Sequence, residues 1–428
     1  MLKKIGPYGL ITIGFLLSIL IGGTLLYLPI SQKSGADVSL VDAFFITISA
    51  ICVTGLSTID VANSFNLFGY TIIALLIQIG GLGIVCAGLS IILLAGQKIG
   101  IKERILIKDS LNLNSLKGIV KLVKSIFRIT FIIEFIGALF SFCSFIKYYK
   151  FKDAIVISIF HSISAFNNAG FDLIGNFRNL VPFENDILLN LTTSGLIILG
   201  GLGFIVINEI IEKKDFKKIS LHSKIVIKMS IALLIIGTLV IYASSDISLL
   251  ASFFTSVSSR TAGFNTVPID SFNKVSLLFI MILMFIGASP SSTGGGIKTS
   301  TFYSLIKGTY SICSNKRCHS FKREISHETI LKSFIVLFVG MIVVTSCLLC
   351  LCIFEPNIDL LDLLFESISA FATVGLSTGI TPELSTISKI VIMITMFIGR
   401  VGGLTLLSLW TKKGKKYVSY PTEDILIG

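Results

Sequence analysis

Charged residues are scarce in this chain of 428 amino acids. Only 14% of its residues are Asp, Glu, Lys or Arg, whereas 53% are hydrophobic and the mean hydropathy is +0.90. This apolar content exceeds what the core of a soluble domain buries, which excludes a soluble globular protein and favours a bilayer. The first apolar run, which reaches Leu28, has no small-residue cleavage site after it, so we predict a first membrane helix and no signal peptide.

Motifs for catalysis and nucleotide binding are also lacking. The sequence contains no Walker lysine loop, no Rossmann fingerprint and no acidic phosphorylation motif, and its Gly-Gly-Leu-Gly runs lie in apolar segments with no preceding strand. Of the eight cysteines, Cys347, Cys350 and Cys352 share one apolar run, while Cys313 and Cys318 lack the four ligands of a zinc site. We therefore predict no enzyme, no ATP-driven pump, no nucleotide bound to this chain, and reduced structural thiols.

Basic residues are confined to a few segments, although the net charge is +12. These segments alternate with basic-poor ones, which indicates membrane topology rather than the alternative, nucleic-acid binding, and makes the basic side and both termini cytoplasmic. The exception is the cluster Lys147, Lys150 and Lys152 on the predicted outside. Most of the 36 Lys and Arg residues lie in 3–4, 97–128, 212–228, 298–332 and 412–416.

One sequence unit occurs four times. In each copy a triplet of mostly small residues ends five residues before a glycine, and Leu or Phe and then a small polar residue follow that glycine. A glycine-rich segment begins 25, 30, 24 and 24 residues after the four glycines. Asp172 departs from the pattern by placing a carboxylate near the expected pore mouth. The four glycines are Gly55, Gly170, Gly263 and Gly375.

An apolar stretch of about ten residues precedes each triplet and opens with acidic residues. At about 1.5 Å per residue such a helix is too short to cross a core of about 30 Å, so it enters and stops halfway. We predict an all-α integral membrane protein of four tandem helix–pore-loop–helix repeats around a central pore, with eight transmembrane helices and four re-entrant half-helices. The predicted repeats are 1–100, 115–212, 222–310 and 328–411, followed by a cytoplasmic tail, 412–428.

Four extended loops at membrane depth must be buried together or line water. The half-helices direct their partly negative C-terminal ends at the centre, which favours a cation coordinated by loop carbonyl groups. No carboxylate precedes a loop glycine, so a divalent site is disfavoured. Because only one glycine per loop is shared, we expect fewer carbonyl rings than in a TVGYG filter and weaker selectivity among monovalent ions. The predicted filter residues are Val53, Thr54, Gly55, Asn168, Ala169, Gly170, Thr261, Ala262, Gly263, Thr373, Val374 and Gly375.

Residues 287–296, GASPSSTGGG, would break a helix, because proline removes a donor and glycine has little helical preference. The alternatives are a gating loop below the filter and a static kink. Arg400, at the same depth in the fourth repeat, is expected to contact this loop, or alternatively to pair with Glu134 or another acid. The predicted gate residues are Gly287, Pro290, Ser291, Ser292, Thr293, Gly294, Gly295, Gly296, Lys298 and Arg400.

Two more charged residues lie at membrane depth. Arg260, three residues before Gly263, is expected behind the filter, where it supports the loop through hydrogen bonds to loop carbonyl groups. Glu134 is interpreted as a structural hydrogen-bonding group, with a coupling site as the alternative. Lys298 and Thr299 follow the gate, and the sequence does not indicate what they contact.

Together, the four non-identical pore loops, the third loop Ser-Arg-Thr-Ala-Gly-Phe, the segment SPSSTGGGIKTST and the Gly-Arg pair at Arg400 resemble the Trk/Ktr/HKT superfamily of potassium transporters. The resemblance runs from about residue 5 to Gly428, and the eight spans and the ending YPTEDILIG are similar to the membrane subunits of bacterial Ktr systems. It implies potassium uptake, sodium dependence, an intramembrane gating loop, and a homodimer in the bacterial cytoplasmic membrane with one pore per protomer. It also implies a cytoplasmic KtrA-type nucleotide-binding ring on the basic loops around 97–128, 212–224 and 307–328.

Two other functions remain as alternatives. A sodium-selective or poorly selective monovalent cation transporter of the same fold would differ first at the filter, where serine in place of Gly55 would favour sodium. A secondary solute carrier or a purely structural membrane protein would not need four matched re-entrant loops.

Overall fold

The computed structural model describes residues 7–83, 85–88, 100–101, 104–105, 108 and 118–402. Within these residues the fold is helical, apart from one two-stranded hairpin, β1 (His319–Ser320) with β2 (Arg323–Glu324). The tail 412–428 and much of the basic segment 97–128 lie outside the described residues. The helices are α1 (Pro7–Tyr27), α2 (Leu40–Cys52), α3 (Val61–Ser64), α4 (Leu67–Leu82), α5 (Ile119–Phe145), α6 (Phe151–Phe166), α7 (Ile187–Leu202), α8 (Phe204–Lys213), α9 (Leu221–Ser244), α10 (Leu249–Ser258), α11 (Lys274–Phe285), α12 (Thr299–Cys313), α13 (His327–Phe354), α14 (Leu360–Ala372) and α15 (Thr386–Val401).

The helices that lead into the four glycine loops are short. Helices α2, α6, α10 and α14 have 13, 16, 10 and 13 residues, less than a membrane crossing requires. Side-chain caps begin two of them, since Ser39 accepts from the Asp42 amide and Ser248 from the Ala251 amide. These four are the re-entrant half-helices.

Long apolar helices precede three of the half-helices. Helices α5, α9 and α13, with 27, 24 and 28 residues, are each long and apolar enough to cross a membrane, and α7 with α8 qualifies as a pair bent by 95°. The second helix of each repeat is shorter, with 12 to 16 residues in α4, α7, α11 and α15. Gly83, Gly203 and Gly402 end α4, α7 and α15 at φ of +81°, +94° and +87°. Three of the four second helices therefore end at a glycine, whereas α11 ends at Phe285.

The four repeats pack in a closed cycle. The second helix of each repeat contacts the half-helix of the next, because α4 packs on α6, α7 on α10, α11 on α14 and α15 on α2. The last of these contacts includes an ion pair of 3.1 Å between Lys389 Nζ and Asp42 Oδ1. The cycle places the C-terminal ends of all four half-helices around one axis.

Candidate functional site

The four glycine loops share one backbone conformation. The residue two positions before each glycine is left-handed, with φ of 57° at Val53, 58° at Asn168, 81° at Thr261 and 50° at Thr373. The glycines themselves have φ of +97°, +72°, +77° and +93° in chain order. Residues with a side chain rarely adopt this region, so the conformation favours glycine at the ring position. It does not by itself require glycine, because four non-glycine residues adopt the same region two positions earlier.

The glycines form a closed ring in which each faces the next repeat. A Cβ atom added to Gly55, Gly170 or Gly263 would lie 2.5, 2.8 or 2.5 Å from a carbonyl oxygen of the following loop, and one on Gly375 would lie closer still. Any side chain at these positions would therefore clash with the backbone of the next loop. In the same order, these carbonyl oxygens belong to Ala169, Ala262, Val374 and Thr54.

Serine residues of the small-residue triplets hold the loops in place. The Ser49 and Ser369 hydroxyls accept from the Gly55 and Gly375 amides, each at 3.1 Å. In the second repeat the Ser164 carbonyl accepts from the Ala169 amide at 2.8 Å. The sequence shows that these triplets are small; their hydrogen bonds to the loops become evident only in the structure.

The glycine-rich segments that follow have a related steric role. In the first, second and fourth repeats, a Cβ on Gly80, Gly200 or Gly399 would collide with a carbonyl oxygen in the last turn of the half-helix of the same repeat. These glycines let the second helix pack directly on the end of the half-helix. In the third repeat Gly287 instead faces the Gly295 carbonyl of its own loop.

A cavity of about 450 Å³, here called the vestibule, is lined by all four ring glycines and the residues that follow them. Asp60, Asp172 and Asp270 line it together with Arg178. Asp172 lies in the loop after the ring, outside the helices, and burial raises its pKa to about 6 although the Ile174 amide donates to it. The vestibule therefore has a net acidic lining.

The residues that precede the ring glycines contact the segment 287–296, which is called the gating loop here after the role predicted from its sequence. A Cβ on Gly294 or Gly295 would collide with the Thr261 or Thr373 hydroxyl. The hydroxyls of Thr54 and Thr373 are buried and have no hydrogen-bond partner among the described residues. Such hydroxyl groups remain available as oxygen ligands.

The gating loop is fastened to the break between α7 and α8. The Ser289 and Thr293 amides donate to the carbonyl oxygens of Gly201 and Gly200 at 3.0 and 3.3 Å, and the Phe204 amide donates to Ser291 at 2.9 Å. The loop is thus held by the second repeat, although it belongs to the third.

Two cationic side chains bind gating-loop carbonyl groups. Lys298 Nζ donates to Gly294 and Gly295 at 2.7 and 3.2 Å. The Arg400 guanidinium donates to the Thr293 carbonyl and, through its other terminal nitrogen, to Gly80. Lys298 thus binds within its own loop, while Arg400 links the fourth repeat to the third and first.

The structure separates Glu134 from Arg400. Glu134 Oε1 accepts from Asn167 Nδ2 at 3.0 Å, and the same nitrogen donates to Gln78 at 2.9 Å. These contacts join α4, α5 and α6 behind the ring. No bond or ion pair between Glu134 and Arg400 occurs among the described residues, so the alternative partner of Arg400 is not observed.

The hydrogen bonds of Arg260 differ from those predicted from the sequence. It is buried behind the third loop, but its terminal nitrogens bond the Ser230 carbonyl and hydroxyl in α9, each at 3.4 Å, and not the loop carbonyl groups. The adjacent spanning helix offers these acceptors, and helix pairing is not readable from one sequence. Arg260 therefore ties the third half-helix to α9.

Comparison with known proteins identifies the family. The family model of TrkH, described as a cation transport protein, matches residues 12–245 and 225–419. The chain belongs to the TrkH family of cation transport proteins. As a TrkH-family member it is a membrane transporter and not an enzyme, and its helix–pore-loop–helix fold is that of the family.

Relatives of this TrkH-family chain match over nearly its whole length. It is 37% identical to Ktr system potassium uptake protein B of Bacillus subtilis (strain 168), with 99% of this chain and 97% of that protein covered. It is 39% identical to Ktr system potassium uptake protein D of the same organism (100% and 98% covered) and 37% identical to the potassium/sodium uptake protein NtpJ of Enterococcus hirae (100% and 98% covered). The crystal structure of the potassium transporter TrkH from Vibrio parahaemolyticus is similar in fold, with a TM-score of 0.71 and 19% identity over 94% of this chain and 85% of that one.

Proposed function

We propose that this protein takes up potassium across the bacterial cytoplasmic membrane. The observation that carries the proposal is the closed ring of Gly55, Gly170, Gly263 and Gly375 at the base of the vestibule. The names of the B and D relatives, which describe potassium uptake, support the choice of ion.

In this proposal the loop backbones form the selectivity filter. Carbonyl oxygens of the twelve filter residues, with the Thr54 and Thr373 hydroxyls, replace the hydration shell of the ion. The half-helix C-terminal ends add a negative potential at the same point. The acidic vestibule faces the outside and concentrates cations there.

The gating loop closes the pathway below the filter. Its support is the contact of Gly294 and Gly295 with the filter threonines, together with the bonds from Lys298 and Arg400. These two positive charges also oppose a cation below the filter. For the pathway to open, the loop must move away and two hydrogen bonds of Thr293 must break: the one from Arg400 to its carbonyl and the one from its amide to Gly200.

The proposed assembly is a homodimer with a cytoplasmic KtrA-type nucleotide-binding ring, and transport depends on sodium. The word "system" in the relatives' names supports a partner subunit. The proposed contacts are the basic segments around 97–128, 212–224 and 307–328. Both termini would then be cytoplasmic.

A sodium-selective or poorly selective transporter is the second candidate. The relative named for potassium/sodium uptake supports it, as does a filter with only one shared glycine per loop. Gly55 favours the potassium transporter over this second candidate, in which a serine is expected at the same position. A serine side chain there would press on the Ala169 carbonyl of the ring.

The test is potassium-dependent growth and rubidium uptake in bacteria that lack their own potassium uptake systems, with the ring partner co-expressed. Wild type is compared with Gly55→Ser and with deletion of Ser291–Gly295. We expect rescue by wild type, weaker potassium preference in the first variant and faster, poorly regulated uptake in the second. If wild type moves no rubidium and both variants behave like wild type, the potassium pathway is refuted; equal uptake of sodium would favour the second candidate.

A further inference from the structure

The second repeat has the longest connection between its ring glycine and its glycine-rich segment, 30 residues against 24 or 25 in the others. In the structure this connection forms a loop beside the vestibule that includes Phe177 and Arg178 among the lining residues. Asn176, Phe177 and Asn179 are left-handed, with φ of 59°, 53° and 48°. A loop with three such residues in four positions must be held by specific contacts.

Asn179 supplies those contacts and also reaches the ring. Its side chain is 8% exposed, and its Nδ2 donates to the carbonyl oxygen of the ring residue Gly170 at 3.3 Å. Its Oδ1 accepts from the Leu180 amide at 2.9 Å and from the Asn265 amide of the third repeat at 3.2 Å. One buried amide side chain thus joins a filter carbonyl to the neighbouring filter loop.

The polar side chains that follow the other ring glycines bind within their own loops. Ser57 donates to the Ile59 carbonyl, Asn265 Nδ2 to Val267 at 3.1 Å, and Ser377 accepts from the Gly379 amide at 3.0 Å. Asp172, at the equivalent position of the second repeat, does the same by accepting from the Ile174 amide. Among the described residues the carbonyl groups of Gly55, Gly263 and Gly375 accept no hydrogen bond, so the donor from Asn179 to Gly170 makes the second repeat different from its neighbours.

We propose that Asn179 is a positioning residue that fixes the Gly170 carbonyl and thereby raises the discrimination of potassium against sodium; this rests on the proposed potassium pathway. Sodium is the smaller ion, so its coordination requires the ring oxygens to move inward. A carbonyl held by a buried donor, on a loop tied to the next repeat, resists that movement. Without the donor, the ring adapts more easily to sodium.

Two substitutions separate the donor from the loop contacts. Asn179→Asp keeps an acceptor for the Leu180 and Asn265 amides but removes the donor to Gly170. Asn179→Gly removes the whole side chain while tolerating the left-handed backbone. The matched control is Asn176→Asp, which adds the same charge to the same loop, at an exposed residue that accepts from Asn63 Nδ2 at 3.1 Å and does not bind the ring.

The measurements are the KM and maximal rate of rubidium uptake and the sodium concentration that halves it. In both Asn179 variants we expect sodium to inhibit at about fivefold lower concentration, the effect of one ordinary hydrogen bond, with a smaller change in maximal rate. Asn176→Asp should match wild type.

The outcomes are distinct. If Asn179→Asp discriminates like wild type and only Asn179→Gly changes, the side chain merely tethers the loop and the inference is wrong. If all three variants shift equally, the added charge or loop disturbance is responsible, which also overturns it. If wild type itself takes up no rubidium, the proposed function fails instead.

Discussion

The guanidinium group of Arg400 donates to the backbone carbonyl of Thr293 in the gating loop and, through its other terminal nitrogen, to Gly80 in the first repeat. Three repeats therefore meet at one side chain. A planar group with several fixed donors suits this task, whereas a lysine ammonium is a point charge on a flexible stem.

The first prediction concerns this contact. Arg400→Gln removes a positive charge and a charge-assisted bond, each of which opposes conduction, so we expect the rate of rubidium uptake to rise about tenfold or more, because a hydrogen bond to a charged group contributes about 1.5–3 kcal/mol. Arg400→Lys is the matched control: it retains the charge and should give an intermediate rate. Equal rates in wild type and Arg400→Gln would show that the contact does not restrain the loop.

The second prediction compares two glycines of one loop. Gly375 and Gly379 have similar φ, +93° and +104°, but a Cβ on Gly375 would meet the Thr54 carbonyl while one on Gly379 has nothing within 4 Å. Gly375→Ala should therefore lower both the rate of uptake and the preference for potassium at normal protein levels, and more strongly than Gly55→Ser because its Cβ contact is closer. Gly379→Ala should keep normal uptake and lose only about 1 kcal/mol of stability through backbone strain. Similar uptake by both variants would mean that ring closure is dispensable.

The third prediction follows from Asp172. Because burial raises its pKa to about 6, the carboxyl group is ionised above that pH and neutral below it. An ionised group in the vestibule attracts cations, so the KM for rubidium should rise as the external pH falls through about 6. Asp172→Asn should have a high, pH-independent KM over that interval. A variant that keeps the wild-type pH profile would show that the carboxyl group of Asp172 is not the group that titrates.

The fourth prediction separates structure from coupling at Glu134. Glu134→Gln retains an oxygen that accepts from Asn167, so we expect normal uptake and normal sodium dependence. Glu134→Leu removes one of the three acceptors of Asn167 Nδ2, the others being Gln78 and the Ile163 carbonyl. The loss of this hydrogen bond should cost about 0.5–1.5 kcal/mol and lower the thermal stability of the purified protein. Loss of sodium dependence in Glu134→Gln would instead identify a coupling site.

The sequence predicted those features that repeat along the chain. The ring glycines, the half-helices and the fold class could be inferred because four copies of one pattern expose what each copy needs, whereas a single Thr-Val-Gly would indicate little. The filter and gate roles of the named residues stay predictions.

Most partners of the buried charged side chains could not be predicted. The sequence predicted that Arg400 contacts the gating loop, but not its second acceptor, Gly80 in the first repeat. It indicated neither the partner of Arg260 on α9 nor those of Lys298 in its own loop. Such pairings depend on how helices pack, which one sequence does not specify. The helix ends at Gly83, Gly203 and Gly402 could not be predicted either, because a glycine in an apolar run is compatible with a continuous helix.

The ring of glycines is built by one polypeptide, so each loop is encoded separately. In a channel of four identical subunits, one codon change alters every quadrant of the filter at once. Here a mutation alters one quadrant and leaves three as internal references. Selection can therefore adjust ion preference one loop at a time, and an experimenter can measure the contribution of one quadrant without joining several gene copies.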